Sequence, residues 1–191
     1  MDINNLISSR RTIRKFKQTP VSNECLNKYV QAARLAPSAG NVQSLKYIIV
    51  SDEQMRDNVF STLKWAGYLA PEYNPDKNHR PMAYIIVCND TNIEKKGYDM
   101  DVGAAVENMI LSAWDDGVGT CWIGSVNRPV LKKYLDLTDN IYISCVLALG
   151  YPDEEPKEVK LSEDGSIKYY LENGTLCVPK RDIDDIIIAR Y

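Results

Sequence analysis

Residues 99–124, DMDVGAAVENMILSAWDDGVGTCWIG, constrain the fold more tightly than any other stretch of the chain. They read as a helix, a glycine stop and a short apolar strand that ends in another glycine. Asp99 stands where an N-cap is expected, and Asp101 adds negative charge to the first turn, where the helix dipole favours it. At 100° per residue, Val102, Ala105, Val106, Met109, Ile110, Ala113 and Trp114 span an arc of roughly 180°. Ala104 and Leu111 form a second apolar patch across a narrow polar strip of Asp101, Asn108 and Ser112. A helix that is apolar on two sides needs two covers. One is the chain's own sheet; the other is a second helix of the chain or a partner subunit. Gly117 suits a left-handed C-terminal stop. A central core helix with no further role is the plain alternative.

The whole chain, 1–191, is expected to form one domain, large enough to bury about 70% of its unfolded surface. A net charge of −3 gives no long-range attraction to nucleic acid or to an anionic membrane. No run of 18 apolar residues exists, and MDINNLISSRR lacks the apolar core of a signal peptide, so a cytoplasmic location is expected. Five cysteines, widely spaced and without a CxxC pair, read as buried free thiols in a reducing compartment. The one histidine, His79, sits in the loop-like NPDKNHRP and reads as solvated. Neither a metal centre nor a hydrolytic triad is expected from that inventory.

Taken in order, residues 2–9 suggest a short helix capped by Asp2, with Ile3, Leu6 and Ile7 on one face. SRRTIRKFKQTPV follows, with Arg10, Arg11, Arg14, Lys15 and Lys17 in eight positions and Thr12 among them. Ser22 caps a helix to about residue 36, with Leu26, Val30 and Ala33 as its buried stripe. APSAGNVQS is a loop by composition. LKYIIVS is a strand, and Asp52 caps a helix that buries Val59, Phe60 and Leu63. Residues 65–81 are turn-rich and aromatic, and a connection of that length is usually functional or mobile. MAYIIVCND and IYISCVLALGY read as central strands covered on both faces, and GTCWIGS as a shorter one. Asn127 and Pro129 start a helix. YPDEEPKEVKLSEDG is charged and irregular. Asn173-Gly174 between IKYYL and TLCV is a strong hairpin signal. KRDIDDIIIARY ends the chain as a short helix capped by Asp182. Helices alternate with strands, so the class is α/β or α+β.

Two stretches are candidates for chemistry. In the basic cluster, Arg side chains match phosphate oxygens through the guanidinium fork and Thr12 adds a hydroxyl; a solvated basic loop is the plain alternative. Nucleic acid is disfavoured by the acidic remainder and the lack of interleaved aromatics. In PSAGNVQS, small side chains let a flat ligand approach the backbone, with Ser38 and Asn41 able to hydrogen-bond; a helix-to-strand connection is the alternative. GVGT at 117–120 lies between a helix and a strand, the reverse of the order that a Rossmann loop needs.

SRRTIRKF, APSAGNVQS, DVGAAVENMILSAWDDGVGTCWIGS, LALGYPDEEP and PKRDIDDI, in that order, resemble the FMN-dependent nitroreductase family over almost the whole chain. The resemblance implies an α+β three-layer fold, a mixed central sheet between helices and an interlocked homodimer with FMN at the interface. It implies that Arg10, Arg11 and Thr12 hold the FMN phosphate and ribityl chain, and that Arg14 reaches the pyrimidine edge of the isoalloxazine. Pro37, Ser38, Ala39 and Asn41 match a loop that contacts FMN from the other subunit. Ile123 and Gly124 match a strand end whose backbone N–H groups face flavin N5; no side chain is expected to act as a catalyst. Members often carry an acidic or small residue where Ile123 stands, a change that a purely backbone role tolerates. Lys180 and Arg181 match a basic pair near the phosphate. Trp65, Tyr68, Leu69 and Tyr73 are candidates to cover the flavin as a substrate pocket, or else core and hinge aromatics. The implied activity is hydride transfer from NAD(P)H through flavin N5 to a small electron-poor acceptor by a ping-pong route. A flavin-handling protein without NAD(P)H turnover, or a non-flavin domain binding a phosphorylated ligand, would present the same residues.

Overall fold

The β2 and β4 strands, Ala83–Asp90 and Ile141–Gly150, form the antiparallel centre of the molecule and are buried over almost their full length. In this computed structural model, which describes residues 2–69, 71 and 73–191, they are flanked by β1 (Leu45–Val50) and β3 (Gly119–Ile123) in the order β1-β2-β4-β3. Neighbouring strands in this sheet are antiparallel, and a parallel bridge, Thr12 to Thr120, is added at the β3 edge. The alternation of β2 sorts its side chains onto two faces. Ala83, Ile85 and Val87 join a core with α2 (Asn23–Arg34) and α4 (Asp99–Asp115). Tyr84, Ile86 and Cys88 join another with α3 (Glu53–Ser61) and α5 (Arg128–Tyr134). The layers are therefore helix, sheet, helix, and the class is α+β.

On β4 the two cores divide at a bulge. Val87 pairs with Cys145 and Cys88 with Ile143, so Ser144 is the extra residue. One extra residue inverts the face assignment of everything beyond it. Cys145 therefore belongs to the α2/α4 core while Ile143, two residues away, belongs to the other.

The sequence-based expectations hold for most elements. Ser22 and Asp52 cap α2 and α3 by accepting from the N–H groups of Cys25 and Met55. Gly117 has φ +73° and ends α4 in a Schellman motif, with Val118 N–H donating to Ala113 C=O and Gly117 N–H to Trp114 C=O. β6 (Tyr170–Glu172) and β7 (Thr175–Lys180) form the hairpin across Asn173 and Gly174, whose φ values of +50° and +80° suit a type I′ turn.

The departures have physical causes. Tyr98 occupies the N-cap position of α4 and makes no side-chain cap bond, while Asp99 is already helical. In α1 (Ile3–Ser9) only Leu6 is buried; Ile3 and Ile7 face out, because the helix touches the body along one narrow line. Met109 and Ile110 are buried by their own chain, and the half-exposed side of α4 carries Ala104 and Leu111. Lys157–Lys160, within the stretch expected to be irregular, is a strand, β5, paired in parallel with β7. The C-terminal helix α6 is a single turn, Ile183–Ile186, and Asp182 makes no side-chain cap bond.

Gly119 is fixed by packing. A Cβ there would lie 2.6 Å from Ile13 Cγ1 and 2.9 Å from its Cβ. Gly119→Ala is therefore expected to destabilise the fold by about 1–3 kcal/mol, since Ile13 is fully buried and cannot retreat. Urea denaturation of the two proteins measures this, and an unchanged midpoint would contradict it.

Candidate functional site

The basic arm is held along the β3 edge. Ile13 donates its N–H to Thr120 C=O at 2.9 Å and buries its side chain, and three residues on Phe16 donates its N–H to His79 C=O at 3.1 Å and buries its side chain against Gly150. With Ile13 facing in, extended-chain alternation turns Thr12 and Arg14 to the other side. The arm begins beside the C-terminal end of α4, where Trp114 Nε1 donates to Ser9 Oγ at 2.9 Å.

The guanidinium groups differ in how they are engaged. Arg11 is tied to Glu158 of β5 and donates to Ser8 C=O at 2.9 Å. Arg14 lies over the Tyr169 ring, 4.6 Å from its centroid, a cation–π distance. Its backbone N–H and that of Lys15 donate to Glu154, which also accepts from the Tyr73 hydroxyl. Arg10 Nε and Arg11 Nε are buried without acceptors. These two unpartnered Nε atoms, which Arg56 and Arg80 also show elsewhere, stand together on the arm, and that pairing is the observation by which it fits an anionic group such as a phosphate.

The loop at Pro37, Ser38, Ala39 and Asn41 is a tight turn, a 3-10 segment over Ala39–Asn41 with positive φ at Gly40, Asn41 and Gln43. Ala39 donates its N–H to the buried Asp101 carboxylate at 3.0 Å, and Ser38 Oγ accepts from Gln43 N–H. A cavity of about 150 Å³ opens between this loop, Asp101 and the α2 end. Asp101 is in the first turn of α4, whereas Ser9 meets Trp114 in its last turn. Thirteen residues, about 20 Å of helix, separate the two contacts. One chain therefore does not bring the arm and the loop together.

At the end of β3, Ile123 is buried and Gly124 exposed. The following residues are tied to the α3 end: Lys64 N–H donates to Ser125 C=O and Asn127 N–H to Thr62 C=O. Arg128 donates to the carbonyls of Gly124, Ile143 and Ser144, and sequence reasoning gave it no role. Asp101 was read as negative charge in the first helical turn and as part of a polar strip, not as a partner of the loop. Lys180 and Arg181 are exposed at the end of β7, two positions beyond the Glu158–Val178 pair that anchors Arg11, about 7 Å along the strand.

The proposed substrate cover divides. Trp65 is buried and stacks on Phe60 at 5.6 Å, and Tyr73 is buried beneath Lys15, so both are core aromatics and neither offers a face to a substrate. Burial and the Glu154 carboxylate push the Tyr73 hydroxyl well above the usual tyrosine range. Leu69 packs against the same core. Tyr68 is half exposed and meets the Tyr169 ring in a tilted contact, centroids 4.9 Å apart, with its N–H on the Tyr169 hydroxyl. Ala70 and Glu72 of this segment lie outside the described residues. His79 is held by Asp76 at 2.8 Å and faces Asp153 at 3.3 Å rather than being freely solvated. Burial raises the Cys88 and Cys145 thiols to about 12 and Cys121 to about 11, values that make them unreactive at neutral pH.

Known proteins resemble this chain in sequence and fold. The family model described as "Nitroreductase family" matches residues 7–151. A protein of Archaeoglobus fulgidus, provisionally named as an NADH dehydrogenase/NAD(P)H nitroreductase, is 35% identical over 157 residues, covering 78% of this chain and 85% of its own. An FMN-dependent nitroreductase from Clostridium difficile R20291 superposes with a TM-score of 0.68 at 26% identity, covering 89% of this chain and 98% of that one. A provisionally named nitroreductase from Desulfovibrio desulfuricans, solved in complex with FMN, has a TM-score of 0.75 at 20% identity over all of this chain and 98% of that one, a likeness of fold. The match of the family model over most of the sequence, joined to the three-layer fold and the seated basic arm, places this chain in the nitroreductase family.

Proposed function

We propose that this chain is an FMN-dependent NAD(P)H oxidoreductase, working in the cytoplasm as a homodimer on a small electron-poor acceptor such as a nitroaromatic, quinone or enone. The observation that carries the reading is the pair of buried, acceptor-less Nε donors of Arg10 and Arg11, on an arm fixed against β3. When bound, FMN supplies the chemistry, taking hydride at N5 from NAD(P)H and passing it to the acceptor in a ping-pong cycle.

The chain's own residues bind and orient. Arg10, Arg11 and Thr12 take the phosphate and ribityl chain, with Lys180 and Arg181 adding cations near the end of β7. Arg14 takes the pyrimidine edge, where a cation stabilises developing negative charge. The backbone at Ile123 and Gly124 faces N5. Pro37, Ser38, Ala39 and Asn41 serve the partner's flavin, since about 20 Å of α4 keeps them from the arm of their own chain. The half-exposed Ala104 and Leu111 offer α4 an apolar surface for that partner. The names of the relatives support the cofactor and the donor: FMN dependence in the Clostridium difficile protein, and NADPH dependence in a Staphylococcus aureus oxidoreductase 25% identical over 205 residues.

Purified protein is expected to bind FMN, and anaerobic addition of NADH or NADPH to bleach the flavin absorbance. Protein that takes up no FMN would sink the reading. Arg10→Ala is expected to weaken FMN binding roughly ten- to hundredfold, the worth of one charge-assisted hydrogen-bond set, as measured by fluorescence quenching of titrated FMN. Wild-type affinity in that variant would remove the arm from the site.

A further inference from the structure

The end of β3 is held by a device that the family-wide pattern of basic arm and small-residue loop leaves out. Arg128, the first residue of α5, donates from Nε to Ile143 C=O at 2.8 Å and from Nη2 to Ser144 C=O at 2.8 Å and Gly124 C=O at 3.2 Å. Its partners are three backbone carbonyls. Two of them belong to the β4 bulge, where Ser144 has no residue opposite it on β2. The third belongs to the glycine that follows β3.

A glycine just past a strand end has the largest conformational freedom of any residue and keeps one geometry only when its peptide groups are tied. Gly124 is tied on both sides. Ile123, before it, is registered against Val146 in the sheet, and the Gly124 carbonyl accepts from Val126 N–H at 3.1 Å and from the Arg128 fork at 3.2 Å. The next peptides are fixed in turn by Lys64 N–H on Ser125 C=O. A trans peptide points Ser125 N–H away from the Gly124 carbonyl, hence away from Arg128. A cation on that carbonyl also polarises the peptide and strengthens its N–H as a donor. The bulge supplies the reach: it turns the Ser144 carbonyl to a position where one planar guanidinium meets both strands.

We propose that Arg128 is a positioning residue, which locks and polarises the Gly124–Ser125 peptide so that the strand end presents a fixed set of N–H donors to the flavin. The inference rests on the proposed function, which puts this strand end beside N5. Arg128 touches neither phosphate nor ribityl chain in that reading, so its loss is expected to act on the electronics of the bound flavin through the strand end.

The test compares Arg128→Gln and Arg128→Lys with the wild type. In FMN-free protein, exchange of the Val126 amide, whose N–H donates to the Gly124 carbonyl at 3.1 Å, is expected to accelerate about tenfold in both variants, because neither side chain spans three carbonyls. In FMN-loaded protein, the reduction potential of the flavin is expected to fall in Arg128→Gln and to recover in part in Arg128→Lys, which restores the charge without the fork. Exchange at the wild-type rate would overturn the proposal. So would faster exchange with an unchanged potential, which would leave Arg128 a purely structural clamp. Should Arg128→Gln fail to fold, Arg128→Lys carries both measurements. Wild-type protein that binds no FMN would instead overturn the proposed function, an outcome that the variants do not produce.

Discussion

The seating of Ile13 over Gly119 is the contact on which the candidate site depends. Only a residue without a Cβ leaves room for the isoleucine, and the same close approach recurs where Phe16 lies on Gly150. Both side chains are fully buried, worth about 1.5–3 kcal/mol each in transfer free energy. The burial, with the Ile13–Thr120 hydrogen bond, converts a highly charged segment into a fixed extended arm. Charge repulsion among Arg10, Arg11, Arg14 and Lys15 would otherwise keep such a segment solvated. With Ile13 and Phe16 buried, the arm is fixed from Thr12, bridged to Thr120, to Lys17, whose N–H donates to Tyr151 C=O. Glu158, Tyr169 and Glu154 then fix where individual groups lie.

The parts of the fold that were legible in the sequence are those written in periodicity and turn chemistry. The apolar runs of β2 and β4, the stripe of α4, the Gly117 stop and the Asn173-Gly174 turn all follow from patterns of neighbours along the chain. β5 was not legible, because its residues Lys157–Lys160 are mostly exposed and carry a charged, strand-poor composition; pairing with β7 overrides it. Trp65 and Tyr73 read equally as pocket or core, since an aromatic in a loop does not declare its depth, and packing put both inside.

In the candidate site, the arm and the loop were readable because they are clusters, whereas Arg128 and Asp101 act singly, through side-chain bonds to distant backbone. Nothing in the order of residues announces that Arg128 meets Ser144 or that Asp101 caps the Ala39 N–H. The bulge that makes Arg128 useful is itself a property of pairing between β2 and β4, invisible in either strand alone.

The geometry of α4 gives the assembly its logic. The helix carries the loop at its first turn and meets the arm at its last, so about 20 Å of helix separates the two candidate segments on one chain. In the proposed function, two chains close the gap. Mixing subunits tests it most directly. Arg10→Ala disables the arm, and Asn41→Gly removes the loop amide while tolerating the positive φ at that position. Each variant alone is expected to bind FMN weakly. Dissociated, mixed and reassociated, they are expected to regain tight FMN binding at one site of each mixed dimer, formed by the intact arm of one chain and the intact loop of the other. FMN binding in the mixture no tighter than in the separate variants would contradict a site shared between subunits.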